Sequence, residues 1–200
     1  MSPTALIVID VQYDFLPGGA LAVPRGDEVV GVIAGMIGRF GFNLATQDWH
    51  PRDHGSFASR HPGRRPGERI KLFDLEQILW PDHCVQGTRG AAIVEELPAE
   101  RFDAIFRKGT DPRVDSYSGF FDNGRRGATG LDAWLRKAGV EEIHLAGLAT
   151  DYCVKFTALD ALSLGFRTVV HADAIRAVDL EPGDGERALA ALAEAGAILA

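Results

Sequence analysis

The chain has 200 residues, 46% of them apolar, and a formal net charge of -7. That is enough apolar chain for one domain with a sizeable core, and the acidic balance argues against nucleic acid and against an anionic membrane surface as partners. Two cysteines make no disulfide framework, and the opening MSPTALIVID has no basic stretch and only a short apolar run; the expectation is a cytoplasmic protein with reduced thiols, neither secreted nor membrane-spanning.

In chain order, Ala5–Ile9 reads as a first strand that ends at Asp10. Val29, Val30, Ile33, Met36, Ile37 and Phe40 then recur at helical spacing, with Gly41 placed to cap them. The second strand, Phe42–Thr46, runs out into Gln47, Asp48, Trp49 and His50. From about 46 to 98 the pattern breaks into a stretch rich in Pro, Gly, His and Asp, predicted to be a long, partly ordered insertion over one edge of a sheet; loops of this length are often functional. A third strand, Ala104–Arg107, delivers Lys108. Leu131, Trp134, Leu135 and Ala138 mark a helix closed by Gly139, and the fourth strand, Ile143–Leu148, leads through Ala149 into Thr150-Asp151-Tyr152-Cys153. A helix from Cys153 to Leu164 capped by Gly165, a strand at Thr168–Val170, a helix from Glu186 to Ala195 capped by Gly196 and a weak last strand at Ala197–Ala200 complete the chain. Near-continuous apolar strands alternating with helices predict one α/β domain over 1–200, with a parallel sheet and helices on both faces.

Open parallel sheets bind ligands at the carboxyl ends of their strands. Here four strands deliver Asp10, Asp48-x-His50, Lys108 and Cys153 to that edge. A cysteine in the first turn of a helix feels the positive end of its dipole, and a lysine beside it would lower the thiol pKa further. A carboxylate in the same cleft could take the thiol proton and return it to a leaving group. Asp10, Lys108 and Cys153 fit these roles, and backbone N–H groups in the turn after the fourth strand, Ala149 and Cys153 included, could bind an oxyanion. Each residue alone has a plainer reading: a buried small hydrophobe for the cysteine, a solvated charge for the lysine, a cap for the aspartate. Their shared placement is what favours catalysis. Cys84, in WPDHC with no helix start beside it, reads as a structural thiol.

Asp48 and His50 sit at i and i+2, so in extended chain they point to one side, and His54 and His83 follow in the same insertion. A carboxylate with imidazoles suits a divalent Zn, Fe or Mn ion, and three protein ligands would leave positions open for water or substrate. His144, inside an apolar strand, reads as a satisfied histidine, and His61 and His171 carry no role. Phe15, Trp49, Trp80 and Tyr117 lie in loops near these motifs and could grip a flat aromatic substrate.

Five segments, VIDVQYDFLPGGALAVP, TQDWHPRDHGSFAS, LWPDHCVQGT, FRKGTDPRVDSYSGFFDNGRR and GLATDYCVKFTALDA, together resemble the isochorismatase-like cysteine hydrolases, and within them the bacterial nicotinamidases (pyrazinamidases), over nearly the full length. The resemblance implies a six-stranded parallel sheet flanked by helices. It implies Cys153 as nucleophile, Asp10 as proton-transfer residue and Lys108 as third member of the triad, with a cis peptide at Leu148–Ala149 and the amides of Ala149 and Cys153 as oxyanion hole. It implies one divalent metal ion per chain, zinc first with iron or manganese as alternatives, held by Asp48, His50 and His83 and holding a pyridine nitrogen partly through water. The spacing from His50 to His54 is shorter than in relatives with an extra histidine ligand, which leaves His54 to the outer shell at most. Phe15, Trp80 and Tyr117 match positions that line the substrate pocket. The implied reaction takes nicotinamide to nicotinate and ammonia through a thioester, and pyrazinamide likewise, within NAD salvage, as a monomer or homo-oligomer. Cys153 argues against the isochorismatase branch, which lacks the thiol, and Asp48-x-His50 against the carbamoylsarcosine amidase branch. The rival readings are an amidase for another small carboxamide, a sensor that binds without turnover, and hydrolysis by a metal-activated water.

Overall fold

The structure is a computed structural model that describes residues 3–200. Its elements in chain order are β1 (Thr4–Ile9), α1 (Glu28–Met36), β2 (Phe42–Asp48), β3 (Arg69–Leu72), β4 (Leu75–Ile78), β5 (Ala104–Lys108), α2 (Leu131–Lys137), β6 (Glu142–Leu148), α3 (Lys155–Ser163), β7 (Arg167–Arg176), α4 (Asp184–Glu194) and β8 (Ile198–Leu199). Six strands form one parallel sheet in the order β5-β2-β1-β6-β7-β8. The chain steps outward from β1 through β2 to β5, then returns to lay β6 on the other side of β1. The point where strand order reverses therefore lies between β1 and β6, and the crevice outside their carboxyl ends is where a doubly wound sheet takes its ligand. Asp10 follows one of these strands, and Ala149 and Cys153 follow the other.

The near-continuous apolar runs have a simple cause: both faces of the sheet are covered. Ala5, Ile7 and Ile9 of β1 join Leu131 and Leu135 of α2, Ala158 and Ala161 of α3 and Leu192 of α4 in one core. Leu6 and Val8, on the opposite face, join Val29, Ile33 and Met36 of α1 and loop residues such as Phe15, Val94 and Leu97 in a second. With side chains alternating in direction along a strand, only an unbroken apolar sequence can fill both layers. Gly147 lets β1 and β6 close at the reversal point. Its φ is +123°, and a Cβ there would lie 2.1 Å from the Ile9 carbonyl oxygen. Among the described residues no helix is long and apolar enough to cross a membrane.

Two expectations need correction, and the insertion holds local structure that the sequence did not show. The first helix stops at Met36 rather than running to a cap at Gly41, because Gly38, at φ +92°, leaves the helical conformation first. The fifth strand of the sheet extends to Arg176, well past Val170. Leu145 pairs with Val170 but Gly147 with Ile175, so residues 171–174 bulge out of register, and the half-exposed His171 and exposed Asp173 hide the continuation from an apolar scan. The insertion carries an antiparallel β3–β4 hairpin that turns at Phe73 and Asp74, and isolated bridges Gln12–Ile93, His50–Val85 and Phe57–Trp80 stitch the region together. Four-residue strands such as RIKL and LEQI are too short and too polar to stand out as sequence.

Candidate active site

At the end of β1 the backbone turns through Asp10 at φ +50°, a left-handed conformation that aspartate tolerates better than most residues. The turn is closed by the Gln12 N–H donating to the Asp10 carbonyl at 2.9 Å. The carboxylate is thereby sunk into the sheet edge with no solvent exposure. Thr46 Oγ1 donates to Asp10 Oδ1 at 2.7 Å, and Lys108 Nζ lies 2.9 Å from Oδ2. A carboxylate oxygen has two lone pairs, so Oδ2 keeps one open even with the ammonium beside it.

Lys108, the last residue of β5, is the hub of the site. Its buried ammonium lies 2.5 Å from Asp48 Oδ1 and 3.4 Å from Cys153 Sγ, and it donates to the Ser116 carbonyl at 3.0 Å. Burial alone would lower its pKa, but Asp10 and Asp48 together hold it well above the usual lysine range, so it stays charged. Burial also drives Asp10 upward, against the pull of Lys108 and reinforced by Asp48. For Asp48, burial is outweighed by Lys108 and His50, which keep its carboxyl well below the ordinary value. Two carboxylates around one ammonium are thus pushed apart: one stays ionised and the other is suited to take up a proton.

Cys153 lies in a turn of π-helix, Thr150–Val154, that precedes α3, so the α-helix begins at Lys155 rather than at the cysteine. The amides of Tyr152 and Val154 both donate to the Ala149 carbonyl at 3.1 Å, and the Leu148–Ala149 peptide is cis. The thiol does not have the lowered pKa expected of it. Burial pushes it well up, and the Lys108 charge only partly offsets this while Asp10 and Asp48 add to the rise. A thiol with a raised pKa gains from a base beside it, and Sγ and an Asp10 oxygen lie within 4.8 Å of each other.

Asp48, His50 and His83 converge as a donor set, with ligand atoms within 4.8 Å of one another. His50 Nε2 is 3.5 Å and His83 Nε2 3.8 Å from Asp48 Oδ2. His50 Nδ1 faces the Gly109 carbonyl at 2.9 Å and His83 Nδ1 the Pro81 carbonyl at 2.8 Å. A carbonyl only accepts, so each Nδ1 carries the proton and each Nε2 presents a lone pair. Three such donors, buried, fit a divalent cation. Gln12 braces the set: its amide donates to the Asp48 carbonyl at 2.8 Å and accepts the Asp48 N–H at 2.8 Å. Gly109, at φ +65°, leaves no room for a side chain, since a Cβ would sit 2.3 Å from His50 Cε1. Gly109→Ala is therefore expected to weaken zinc binding at least about 10-fold, as losing an orienting group does at other metal sites, measured by competition with a chromophoric chelator.

Beside the thiol lies a narrow cleft lined by Phe15, Trp80, Tyr117 and Tyr152 among others. Trp80 Nε1 donates to Tyr117 Oη at 3.2 Å, and Trp80 meets the Tyr152 ring edge-on at 4.9 Å. Trp49 is not part of it; its ring lies under the Arg107 guanidinium at 4.1 Å. Cys84 is buried in the second core, its thiol pushed up by burial, and belongs to no donor cluster among the described residues. His144 is satisfied, at 2.9 Å from both Glu142 and His171.

The site also holds residues that the sequence left unread. Thr46 could have been found: it precedes Asp48 by two in β2 and so shares its face. Gln12 shows as a polar residue in the apolar run VIDVQ. Asp115 and Val178 reach the cleft from distant loops and leave no local signal. Val178 is held there because Asp151 accepts its N–H at 3.0 Å and that of Asp179 at 2.9 Å.

Residues 4–200 match the family described as Isochorismatase domain. The nicotinamidase of Escherichia coli K12 is 50% identical over 203 residues, covering 100% of this chain and 95% of its own length. A solved Acinetobacter nicotinamidase and pyrazinamidase aligns with a TM-score of 0.95 at 41% identity, over 100% of this chain and 96% of that one. The pyrazinamidase of Pyrococcus horikoshii, solved in complex with zinc, aligns with a TM-score of 0.81 at 39% identity, over 98% of each chain. With the sheet order, the strand-end cluster and these matches in agreement, the chain belongs to the isochorismatase family, among the isochorismatase-like hydrolases that include the nicotinamidases.

Proposed function

We propose that this protein is a metal-dependent cysteine amidohydrolase that converts nicotinamide to nicotinate and ammonia, and acts on pyrazinamide in the same way. One observation carries the reading. The Lys108 ammonium touches Asp10, Asp48 and Cys153 at once, joining a candidate nucleophile, its base and a metal donor set at the mouth of a small aromatic cleft.

The amide carbonyl is taken to sit at the backbone N–H groups of Ala149 and Cys153. Asp10 accepts the thiol proton as Sγ bonds to the carbonyl carbon, and the C=O pair moves onto oxygen under those amides. As the oxyanion collapses, the C–N bond breaks and Asp10 gives its proton to the departing nitrogen, releasing ammonia. Asp10 then takes a proton from water, whose oxygen attacks the thioester; the C–S bond breaks and the thiol recovers its proton. Lys108 stays charged throughout and balances whichever of Asp10 and the sulfur is anionic. Phe15, Trp80 and Tyr117 hold the ring. A divalent ion on Asp48, His50 and His83, zinc by preference, supplies an electrophilic anchor for the ring nitrogen when bound.

The test is ammonia release from nicotinamide, pyrazinamide and a panel of unrelated small carboxamides, with metal content measured on the same sample. Nicotinamide should rank at or near the top by kcat/KM. A higher kcat/KM for a non-aromatic amide sinks the substrate assignment. Chelation that strips the ion while circular dichroism stays native should remove most of the activity, and one equivalent of zinc should restore it. Undiminished turnover by metal-free protein counts against the role given to Asp48, His50 and His83.

A further inference from the structure

One buried carboxylate next to the nucleophile is not used by this mechanism. Asp151 lies in the turn of π-helix that carries Cys153, two residues before it, and is buried with no lysine or arginine partner among the described residues. A carboxylate in that position is costly unless hydrogen bonds satisfy it. Here both oxygens turn to the connection between β7 and α4: Oδ1 accepts the Val178 N–H at 3.0 Å and Oδ2 the Asp179 N–H at 2.9 Å. Burial pushes the carboxyl pKa up, and these two N–H groups pull it back. Two successive N–H groups on one carboxylate hold the backbone on both sides of the Val178 side chain, which walls the cleft together with Ala149 and Cys153. The connection is fixed on its other side as well. Asp179, at φ +51°, turns the chain and accepts the Gly185 N–H at 2.8 Å with its Oδ1. Gly185 packs so closely that a Cβ on it would sit 2.6 Å from the Ala177 Cβ. Residues 177–183 are thus a strap along the cleft, clamped to α4 by Asp179 and to the nucleophile's turn by Asp151.

We propose that Asp151 is a positioning residue that ties this strap to the nucleophile's turn, and that Val178, held by it, determines specificity by rejecting ring substituents on its side of the cleft. The inference rests on the amidase reading of the site and deepens it: the substrate class becomes flat heteroaromatic carboxamides with no substituent facing the strap. A β-branched side chain is stiff about χ1, so Val178 on a fixed backbone is a wall that does not yield. A ring carrying one more methyl group toward it has to displace a strap clamped on both sides. The same valine on an unclamped loop would move aside and discriminate little, which is why the carboxylate and the valine act as one device. Asp151 acts through Val178 and not on the reacting atoms.

The experiment measures kcat and KM for nicotinamide and for its four ring-methylated forms, with the methyl group on C2, C4, C5 or C6, in the wild type, Val178→Ala, Asp151→Ala and the double variant. Melting temperatures are recorded alongside. The wild type should reject at least one methylated form. In Val178→Ala the KM for nicotinamide should rise, and the kcat/KM of a rejected form relative to nicotinamide should rise about 10-fold, the order of effect that one methylene has in an apolar pocket. Asp151→Ala should raise the ratio for the same methylated form, because a released strap no longer holds Val178 against the ring. The double variant should change the ratio little further, since both substitutions remove one wall. A purely structural role for Asp151 would lower kcat for every amide alike and leave the ratios as they are. Ratios within about twofold of the wild type in Val178→Ala or in folded Asp151→Ala overturn the proposal, as do gains on different methylated forms in the two variants or a wild type that accepts all four as readily as nicotinamide. A wild type that releases ammonia from none of the five amides overturns the amidase reading beneath it as well. If Asp151→Ala does not fold, Asp151→Asn decides by the same ratio: it keeps one acceptor oxygen and sets an amide NH2 against the other strap N–H.

Discussion

Cys153→Ala is expected to lower kcat for nicotinamide by at least about 10⁴-fold, with the native circular dichroism spectrum and zinc content retained. Losses of that order or larger follow deletion of a nucleophile that works as a unit with its base. The substitution should be structurally mild. Cys153 is buried and partly walled by apolar neighbours, and alanine suits the helical turn around it. The loss is therefore chemical. The environment of the thiol makes the dependence sharp: burial raises its pKa and Asp10 is the carboxylate beside it, so removing the sulfur leaves Asp10 with no proton to take. Nicotinamide should still bind, because the ring-holding residues and the metal donors are untouched. Cys153→Ser separates this mechanism from its nearest rival. A serine hydroxyl is far harder to deprotonate than a thiol, so Asp10 should activate it poorly and turnover should stay low. If Cys153→Ser keeps substantial activity while Asp48→Ala loses it, a metal-activated water is the nucleophile instead.

How much of this was legible in sequence depends on how locally each feature is encoded. β1 and β6 were readable because strands covered on both faces must be apolar without a break, and Ile7 and Leu145 leave no ambiguity. Asp10, Lys108 and Cys153 were readable because the residue after a buried strand is committed to the carboxyl edge. The extension of β7 was not, because a strand that bulges out of register at His171–Ala174 loses its apolar pattern there and resumes its pairing with β6 only at Ile175. The direction of the thiol's pKa shift was hidden for a different reason. Sequence shows that a lysine and a helix start can lie near Cys153, and both lower its pKa. It does not show depth, and burial next to two carboxylates outweighs them. Asp115 was invisible because its meaning lies in what faces it: Gln77 from β4, and His50 and His54 from the insertion, all distant in sequence. Pairwise spacing finds D-x-H motifs, but it does not find a donor and an acceptor brought together by three separate loops.

Lys108→Met should destabilise the metal-free protein by about 3–5 kcal/mol, read from urea midpoints, and abolish most activity. Removing one partner of a buried ion pair typically costs that much, because the other charge is left unpaired in a medium that cannot solvate it. Here two carboxylates are stranded, since Asp10 Oδ2 at 2.9 Å and Asp48 Oδ1 at 2.5 Å share the one ammonium. Metal-free protein is the right sample, because an ion on Asp48 would replace part of the lost positive charge. The direction of the pH dependence follows from the same geometry. Asp10 already has a raised pKa with Lys108 present and must rise further without it, while Asp48 loses the main charge that holds its carboxyl low. A carboxyl whose folded pKa lies above its unfolded value favours the folded state when protonated, and that support is lost as the pH climbs through the folded pKa. The stability lost in Lys108→Met should therefore be larger at pH 8 than at pH 5.5, where the stranded pair can hold a proton in place of the ammonium. A loss that is equal at both pH values would mean that methionine fails through shape rather than charge. Lys108→Arg does not rescue either property on this account: a guanidinium is planar and larger than an ammonium, and the space between Asp10, Asp48, the Ser116 carbonyl and Cys153 is built around a compact donor.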